Sequence, residues 1–383
     1  MNIVEGKVGQ FIALTWYPAL AIAFRINILR RAINEISPQI RSLWLFFIIA
    51  LTASAIAGDK AIESSIYVLI LIMTGLTGIL VWRSHQGGIL ISLKIYSILF
   101  ICLILILIAL NITSAHEKFA SLRNPNGFSF LLLSTIPGLL IIKKTSIKVL
   151  LISLIFYFVV QTGSRSGLFS IMIVLFSYWY IKNRISFSRA GVRVAAIFIV
   201  INLILPNEIT DTVLSDLVAV DDDYRGVGTG FTGRTAAWGR SLEVWSLHPV
   251  FGVGFKASPH YFSNYVATVG EGTYGYELPG SHNGYLSLLM ETGIICFMLG
   301  SVAIFKSIKI MIKRAQNVLA FSVFVPFSFA CLFVAIFEDF LLSFGNPSSI
   351  VFIAFCLCAP AIEYKKNVGT LSRQGARVTS AMD

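Results

Sequence analysis

Residues 89–111 read ILISLKIYSILFICLILILIALN, and Lys94 carries the only charge in this run. A helix of about 20 apolar residues crosses the roughly 30 Å hydrocarbon core of a bilayer, so the stretch predicts a transmembrane helix. Val318–Phe337 is equally apolar. The chain of 383 residues is 56% hydrophobic and 13% charged, whereas soluble domains carry about 25% charged residues. These values exclude a disordered chain, a cytosolic enzyme and a disulfide-rich secreted domain, and they predict an all-α, polytopic transmembrane helix bundle.

Hydropathy predicts about eleven membrane spans in this chain. The apolar runs cover residues 8–24, 42–57, 65–82, 88–111, 127–142, 147–163, 166–181, 192–206, 283–304, 318–337 and 346–362. They divide the chain into N-terminal helices at 1–206, one long, partly helical extramembrane loop at 207–282, C-terminal helices at 283–363 and a tail at 364–383. The amphipathic stretch 26–41 predicts a short helix lying on the membrane surface.

The basic residues predict the orientation of the spans. Lysine and arginine accumulate in cytoplasmic loops, and most of the 30 in this chain fall on one side when the C-terminus is cytoplasmic. The net charge of +11 is thereby explained by topology, and we expect no binding to nucleic acid. The long loop 207–282 then lies outside the inner membrane.

Some arginines are predicted to lie near the outer face of the membrane, although most basic residues fall on the cytoplasmic side. Arg165 lies in a tight turn between two spans, QTGSRSG at 161–167, and an ionisable group at membrane depth indicates function. The alternative is an arginine that reaches to lipid headgroups. Arg234 opens an amphipathic helix in the long loop, where free backbone N–H groups attract anions. Arg240 follows about 600° further round that helix, which favours a solvated face over a shared ligand.

Two histidines are candidates for proton transfer. His282 lies where the long loop enters the ninth span, in SHNGYL at 281–286, and a histidine there can serve as a general base. A capping or core role is the alternative. Asn283 is placed to orient the ring or a sugar, whereas Glu291, about two and a half turns deeper, is expected to bond within the bundle. His248, in HPVFGVGF, is interpreted as a turn cap rather than a catalyst.

Patterns for metal and nucleotide binding are weak in this sequence. No HExxH, CxxC or P-loop pattern occurs, so we expect no metal and no cofactor. Residues 228–233, GTGFTG, match a dinucleotide fingerprint but follow an aspartate run rather than a strand. That run, Asp221–Asp223, could hold a divalent cation, although a solvated or arginine-paired loop is favoured. The five cysteines all lie in apolar runs.

Four sequence blocks in order carry a resemblance to a known family. The first is NPNGF at 124–128, in which Asn126 is a supporting candidate, and the second is TGSRSGL at 162–168. The third consists of GRTAAW at 233–238 and HPVFGVG at 248–254. The fourth is SHNGYL at 281–286, which leads into ETG at 291–293. With the long loop between the last spans, they resemble the bacterial O-antigen ligase and O-antigen polymerase superfamily of multi-pass inner-membrane glycosyltransferases.

The resemblance implies a metal-independent, inverting glycosyltransferase that works on the periplasmic face. Its donor is an undecaprenyl-diphosphate-linked glycan, and its acceptor is a second glycan or the lipid A-core. In this family, arginines matching Arg165 and Arg234 engage the diphosphate, and a histidine matching His282 activates the acceptor hydroxyl. Membrane lipids, a flippase and a chain-length regulator are the expected partners.

Polymerisation of O-antigen, capsule or exopolysaccharide repeat units is the favoured reaction, with ligation to the lipid A-core as its alternative. A transporter or flippase is the rival class. Such proteins show inverted repeats and ionisable residues near the membrane midplane, and here only Lys94 and Glu291 are candidates for such residues.

Overall fold

The computed structural model describes residues 22, 25–36, 38–84, 86–109, 125–161, 164–183, 234–262, 280–339, 341–342 and 348–357. All structural statements below concern these residues. Their regular secondary structure is helical, which confirms the all-α membrane-type fold.

The helices follow the predicted apolar runs closely. They are α1 Ile26–Glu35, α2 Pro38–Ala57, α3 Ala61–Ser84, α4 Gln86–Ala109, α5 Pro125–Leu140, α6 Thr145–Gln161, α7 Arg165–Asn183, α8 Arg234–Leu247, α9 Gly284–Arg314 and α10 Leu319–Val334, and then α11 Ser348–Leu357. Among the described helices, α2, α3 and α9 are long and apolar enough to cross a membrane. The predicted spans at 8–24 and 192–206 lie outside the described residues, so the count of eleven and the four-part division of the chain stay predictions.

The surface helix predicted at 26–41 is shorter and more buried than expected. It ends at Glu35, and Pro38 begins the next helix, a position that proline favours. The apolar face of α1, which includes Leu29 and Ala32, is buried because α1 packs against α3. Protein, rather than the bilayer, therefore covers that face.

Small side chains allow close approach between the apolar helices. Ser97 of α4 donates to the carbonyl oxygen of Thr135 in α5 at 2.7 Å, and a Cβ atom at Gly138 would collide with the backbone of Leu93. In lipid, packing and hydrogen bonds of this kind hold helices together, because apolar burial alone gains little there.

Successive spans cross the membrane in opposite directions, so the starts of some helices and the ends of others are predicted to lie on the same side. In the structure, several of these helix ends are in contact at one end of the bundle. The contacts are Ser348 Oγ to Phe130 O, Gly167 against Ser129, the Phe169 ring against Phe333, Gly284 N to Ala335 O, and Asp59 N to Val253 O. We call this end, defined by the starts of α5, α7, α9 and α11 and the ends of α2 and α10, the site end.

Candidate active site

Helix α9 is broken at Gly293, whose φ of 72° and ψ of 175° are not helical. In a continuous helix, Ile294 N would donate to Met290 O. Here Ile294 N donates to Pro249 O at 2.9 Å, while Met290 O accepts from Val253 N at 3.1 Å. The loop that follows α8 thus satisfies the backbone groups that the break releases, as a bilayer environment requires.

The glycines of HPVFGVG are required by this close contact. A Cβ atom at Gly252, where φ is 68°, would collide with the backbone of Glu291, and Gly254, where φ is 110°, lies against Gly58. Gly254 N also donates to Glu291 O at 2.9 Å. The third and fourth sequence blocks are therefore one packed unit.

Replacing Gly293 with alanine is expected to destabilise the protein by about 2 kcal/mol or more. The φ and ψ of Gly293 lie in a region that essentially only glycine adopts, where another residue costs about 1–3 kcal/mol, and the added Cβ would also meet the Val250 carbonyl. The midpoint of thermal unfolding in detergent should fall. Gly239→Ala in α8 is the matched control, because nothing lies within 4 Å of its Cβ position and alanine favours helix. Equal midpoints for the two variants would contradict the account of the break.

Glu291 bonds within the fold. Its buried carboxylate accepts a hydrogen bond from Ser258 Oγ at 2.7 Å and one from the backbone N–H of Lys256. The carboxylate thus ties the loop after α8 to α9, at the level of the break.

A second tie joins this loop to the turn between α2 and α3. The Tyr261 hydroxyl donates to the Asp59 carboxylate. Burial, and then the hydrogen bond to Asp59 and its negative charge, raise the pKa of Tyr261 to about 12. The phenol therefore keeps its proton, and the tie persists, throughout the physiological pH range.

His282 lies at the mouth of α9 with an unusual backbone. Its φ is 48°, its side chain is 27% exposed, and its Nδ1 is 3.7 Å from Glu338 Oε2. The side-chain Oδ1 of Asn283 accepts from the backbone N–H groups of Tyr285 and Leu286 at 3.0 Å. Asn283 is the N-cap of α9, where such a side chain is strongly preferred.

The Asp339 carboxylate accepts hydrogen bonds from both residues that flank His282, Ser281 and Asn283. Its Oδ1 accepts from Ser281 Oγ at 2.7 Å, from Ser287 Oγ at 2.5 Å and from Asn283 N at 3.3 Å. These bonds stabilise a left-handed residue that would otherwise cost about 1–3 kcal/mol. The backbone on both sides of His282 is therefore held from the segment after α10.

Sequence reasoning missed Glu338 and Asp339 as parts of this site. The available signal was an adjacent acidic pair at the outer end of the tenth predicted span. Its pairing with residues more than 50 positions earlier follows only from the antiparallel packing of α9 and α10.

Arg165 is the first residue of α7, and the hydroxyl of the preceding Ser164 accepts from Gly167 N at 3.1 Å as an N-cap. One turn later, Phe169 meets Phe333 of α10 edge-on, with ring centroids 6.3 Å apart. Since Phe333 leads into the segment that holds Glu338, Arg165 lies at the same end of the bundle as His282.

The remaining candidates are placed less directly. Arg234 is the first residue of α8 and Asn126 lies in the first turn of α5, but their side chains fall outside the described structure. Arg240 was expected on a solvated face; its side chain is 22% exposed and pairs with Glu243 at 3.0 Å. His248 is exposed in the turn after α8, and its backbone accepts from Gly252 N at 3.0 Å.

No group of three or more potential metal-ligating side chains occurs among the described residues. The aspartate run at 221–223 and the glycine pattern at 228–233 lie outside them. Among the described residues of the site end, the imidazole of His282 lies beside the carboxylate of Glu338, Asp339 binds the backbone of Asn283, and Arg165 starts α7 at the same end.

A protein-family model described as O-antigen ligase matches residues 150–300 of this chain. Over this segment, the chain is similar to the O-antigen ligase family. The match confirms the resemblance that the four blocks predict. A comparison of the whole chain with curated proteins gives no match.

The matched segment, residues 150–300, contains Arg165, Arg234, His248 and His282. It ends just after the break in α9. The block at 124–128 and the pair Glu338–Asp339 lie outside it. The carboxylates that hold the histidine thus come from a part of the chain beyond the matched O-antigen ligase segment.

Proposed function

We propose that this protein is a metal-independent, inverting glycosyltransferase of the bacterial inner membrane that uses undecaprenyl-diphosphate-linked glycans at its periplasmic face. One observation carries the proposal: His282, paired with Glu338, lies at the same end of the bundle as Arg165. A base and a cation at one end of a membrane bundle suit a donor whose reacting bond lies beside a lipid-linked diphosphate.

The guanidinium groups of Arg165 and Arg234 are proposed to bind the diphosphate. Arginine pairs bidentately with phosphate and stays charged. Stabilising the charge that develops on a diphosphate leaving group promotes cleavage of the bond to the sugar. Two arginines supply this charge themselves, which is why the proposal includes no metal.

His282 is proposed to accept the proton of the acceptor hydroxyl. The hydroxyl oxygen forms a bond to the anomeric carbon from the face opposite the diphosphate, and the bond from that carbon to the diphosphate oxygen breaks with its electron pair. Undecaprenyl diphosphate leaves, and the configuration inverts. Glu338 stabilises the resulting imidazolium, and Asp339 keeps the ring in place through Ser281 and Asn283.

Glu338→Gln is expected to lower turnover about 10- to 100-fold without changing donor affinity. The 3.7 Å contact is expected to shorten to a hydrogen bond when His282 becomes charged. A hydrogen bond to a charged group contributes about 1.5–3 kcal/mol, and each 1.36 kcal/mol is tenfold in rate. Glu243→Gln is the matched control, because Glu243 is exposed and lies on α8. Turnover and donor binding are measured separately. Unchanged turnover in Glu338→Gln would remove Glu338 from the mechanism.

The proposed reaction is polymerisation of repeat units of O-antigen, capsule or exopolysaccharide. Ligation to the lipid A-core is the second candidate, because the matching family model is described as O-antigen ligase. Purified protein in liposomes receives mass-tagged lipid-linked repeat units with or without lipid A-core. Chain extension without the core indicates a polymerase, and strict dependence on the core indicates a ligase. Movement of the donor across the bilayer without any transfer would replace the proposal with a flippase.

The proposed orientation predicts a labelling pattern. Cysteine introduced at Ser215 or Thr273 should react with an impermeant maleimide in intact spheroplasts, because the loop 207–282 is periplasmic. Cysteine at Ser186 should react only after lysis. The reverse pattern would place the site end, and every residue assigned to it, in the cytoplasm.

A further inference from the structure

The last residue of α8 and the turn that follows it expose large apolar side chains that the proposed reaction does not use. Leu247 is 71% exposed, Phe251 47% and Val250 43%. Exposed apolar side chains indicate an interaction site when they join a larger apolar surface. We call these three residues the apolar turn.

The apolar turn is fixed at a definite depth along α9. Pro249 O, within this turn, accepts from Ile294 N at 2.9 Å and from Trp245 Nε1 at 3.3 Å. Ile294 directly follows the break at Gly293, and Val253 O, in the same loop, accepts from Asp59 N just after α2. The turn therefore lies at the level of the break in α9, beside the end of α2.

Helix α9 exposes an apolar stripe that begins at the same point. Its exposed members are Ile294, Ile295, Met298, Val302 and Phe305, which fall within about 100° of the helix circumference at 100° per residue. Since α9 is long and apolar enough to cross a membrane, this stripe is its lipid-facing surface. The hydrogen bond from Ile294 to Pro249 makes the apolar turn continuous with it.

We propose that Leu247, Val250 and Phe251 insert among the phospholipid acyl chains of the leaflet at the site end, and that they anchor the loop after α8 to the membrane. Transfer of these side chains from water to hydrocarbon is favourable in proportion to the apolar area buried. The anchor holds α8 at the membrane surface by its C-terminal end. It depends on α9 being a span and not on the reaction proposed above.

Photo-crosslinking tests this proposal directly. Benzoylphenylalanine replaces Phe251 or, separately, Leu247 in the full chain, which is reconstituted in liposomes of phosphatidylethanolamine and phosphatidylglycerol. The same residue at His260, which is exposed on the same loop beyond the turn, is the matched control. At Phe305, on the stripe of α9, it is the positive control for lipid. Mass spectrometry after irradiation detects protein–phospholipid adducts.

We expect adducts at 251, 247 and 305, with at least a tenfold lower yield at 260. Crosslinks from 251 and 247 to peptides of the same chain would overturn the proposal, because protein would then cover the turn. Absence of adducts at both positions while 305 reacts would overturn it too, because the turn would then face water.

Discussion

His282→Ala should lower turnover about 10²–10⁴-fold, which is the usual contribution of a general base, and leave donor affinity nearly unchanged. The reason is that the imidazole acts on the acceptor hydroxyl rather than on the diphosphate. The structure adds that Glu338 Oε2 lies 3.7 Å from Nδ1 and supports the positive charge that His282 acquires. Turnover and donor binding are measured on the same purified protein in liposomes.

A pH profile separates catalysis from structure at this position. Activity of the unaltered protein should fall in acid, because a protonated imidazole has no free electron pair to accept the hydroxyl proton. This acid limb should be absent in His282→Gln. An acid limb that persists in the glutamine variant, or a loss of donor affinity in His282→Ala equal to the loss of turnover, would reduce His282 to a binding or structural residue.

Arg165→Ala should lower kcat/KM about 10²–10³-fold, the range seen when one donor to a developing anion is removed. Unlike His282→Ala, it should also weaken donor binding, since the diphosphate is charged in the ground state as well. Arg165→Lys should keep part of the activity, because charge survives and bidentate geometry does not. We expect Arg234→Ala to behave in the same way.

Arg240→Ala is the matched control for these variants. Its guanidinium pairs with Glu243 within α8, and such partly exposed pairs contribute at most about 1 kcal/mol. Its effect on transfer should therefore be clearly milder. If Arg165→Ala and Arg234→Ala both retained full turnover with normal membrane insertion, the two arginines would be headgroup anchors and the diphosphate clamp would be wrong.

Local sequence was sufficient to predict the apolar helices and the position of some candidate site residues, such as His282. The apolar runs at 42–57, 65–82 and 283–304 predict α2, α3 and α9, because about 20 apolar residues without charge can form little other than a spanning helix. The motif containing His282 marks the mouth of α9 because a short polar segment interrupts an apolar pattern there. The resemblance was also visible in the sequence blocks between residues 124 and 293, and the family match confirms it over residues 150–300.

Contacts between segments that are distant in the chain could not be predicted from local sequence. Asn283 caps its own helix, and this contact depends on which backbone N–H groups are free at the start of α9. The break at Gly293 depends on a partner loop that supplies a donor and an acceptor from residues 249–254. A glycine in sequence permits such a break, but only the partner loop stabilises it.

The sequence by itself determined an all-α membrane protein, the positions of its apolar helices and the resemblance to O-antigen ligases, because hydrophobicity and short motifs are local properties of the chain. Only the tertiary structure decided that Glu338 and Asp339 hold His282, that Arg165 shares their end of the bundle, and that the loop after α8 completes a broken helix. Hydrogen bonds and ion pairs act over about 3–4 Å, and which residues come that close depends on helix packing.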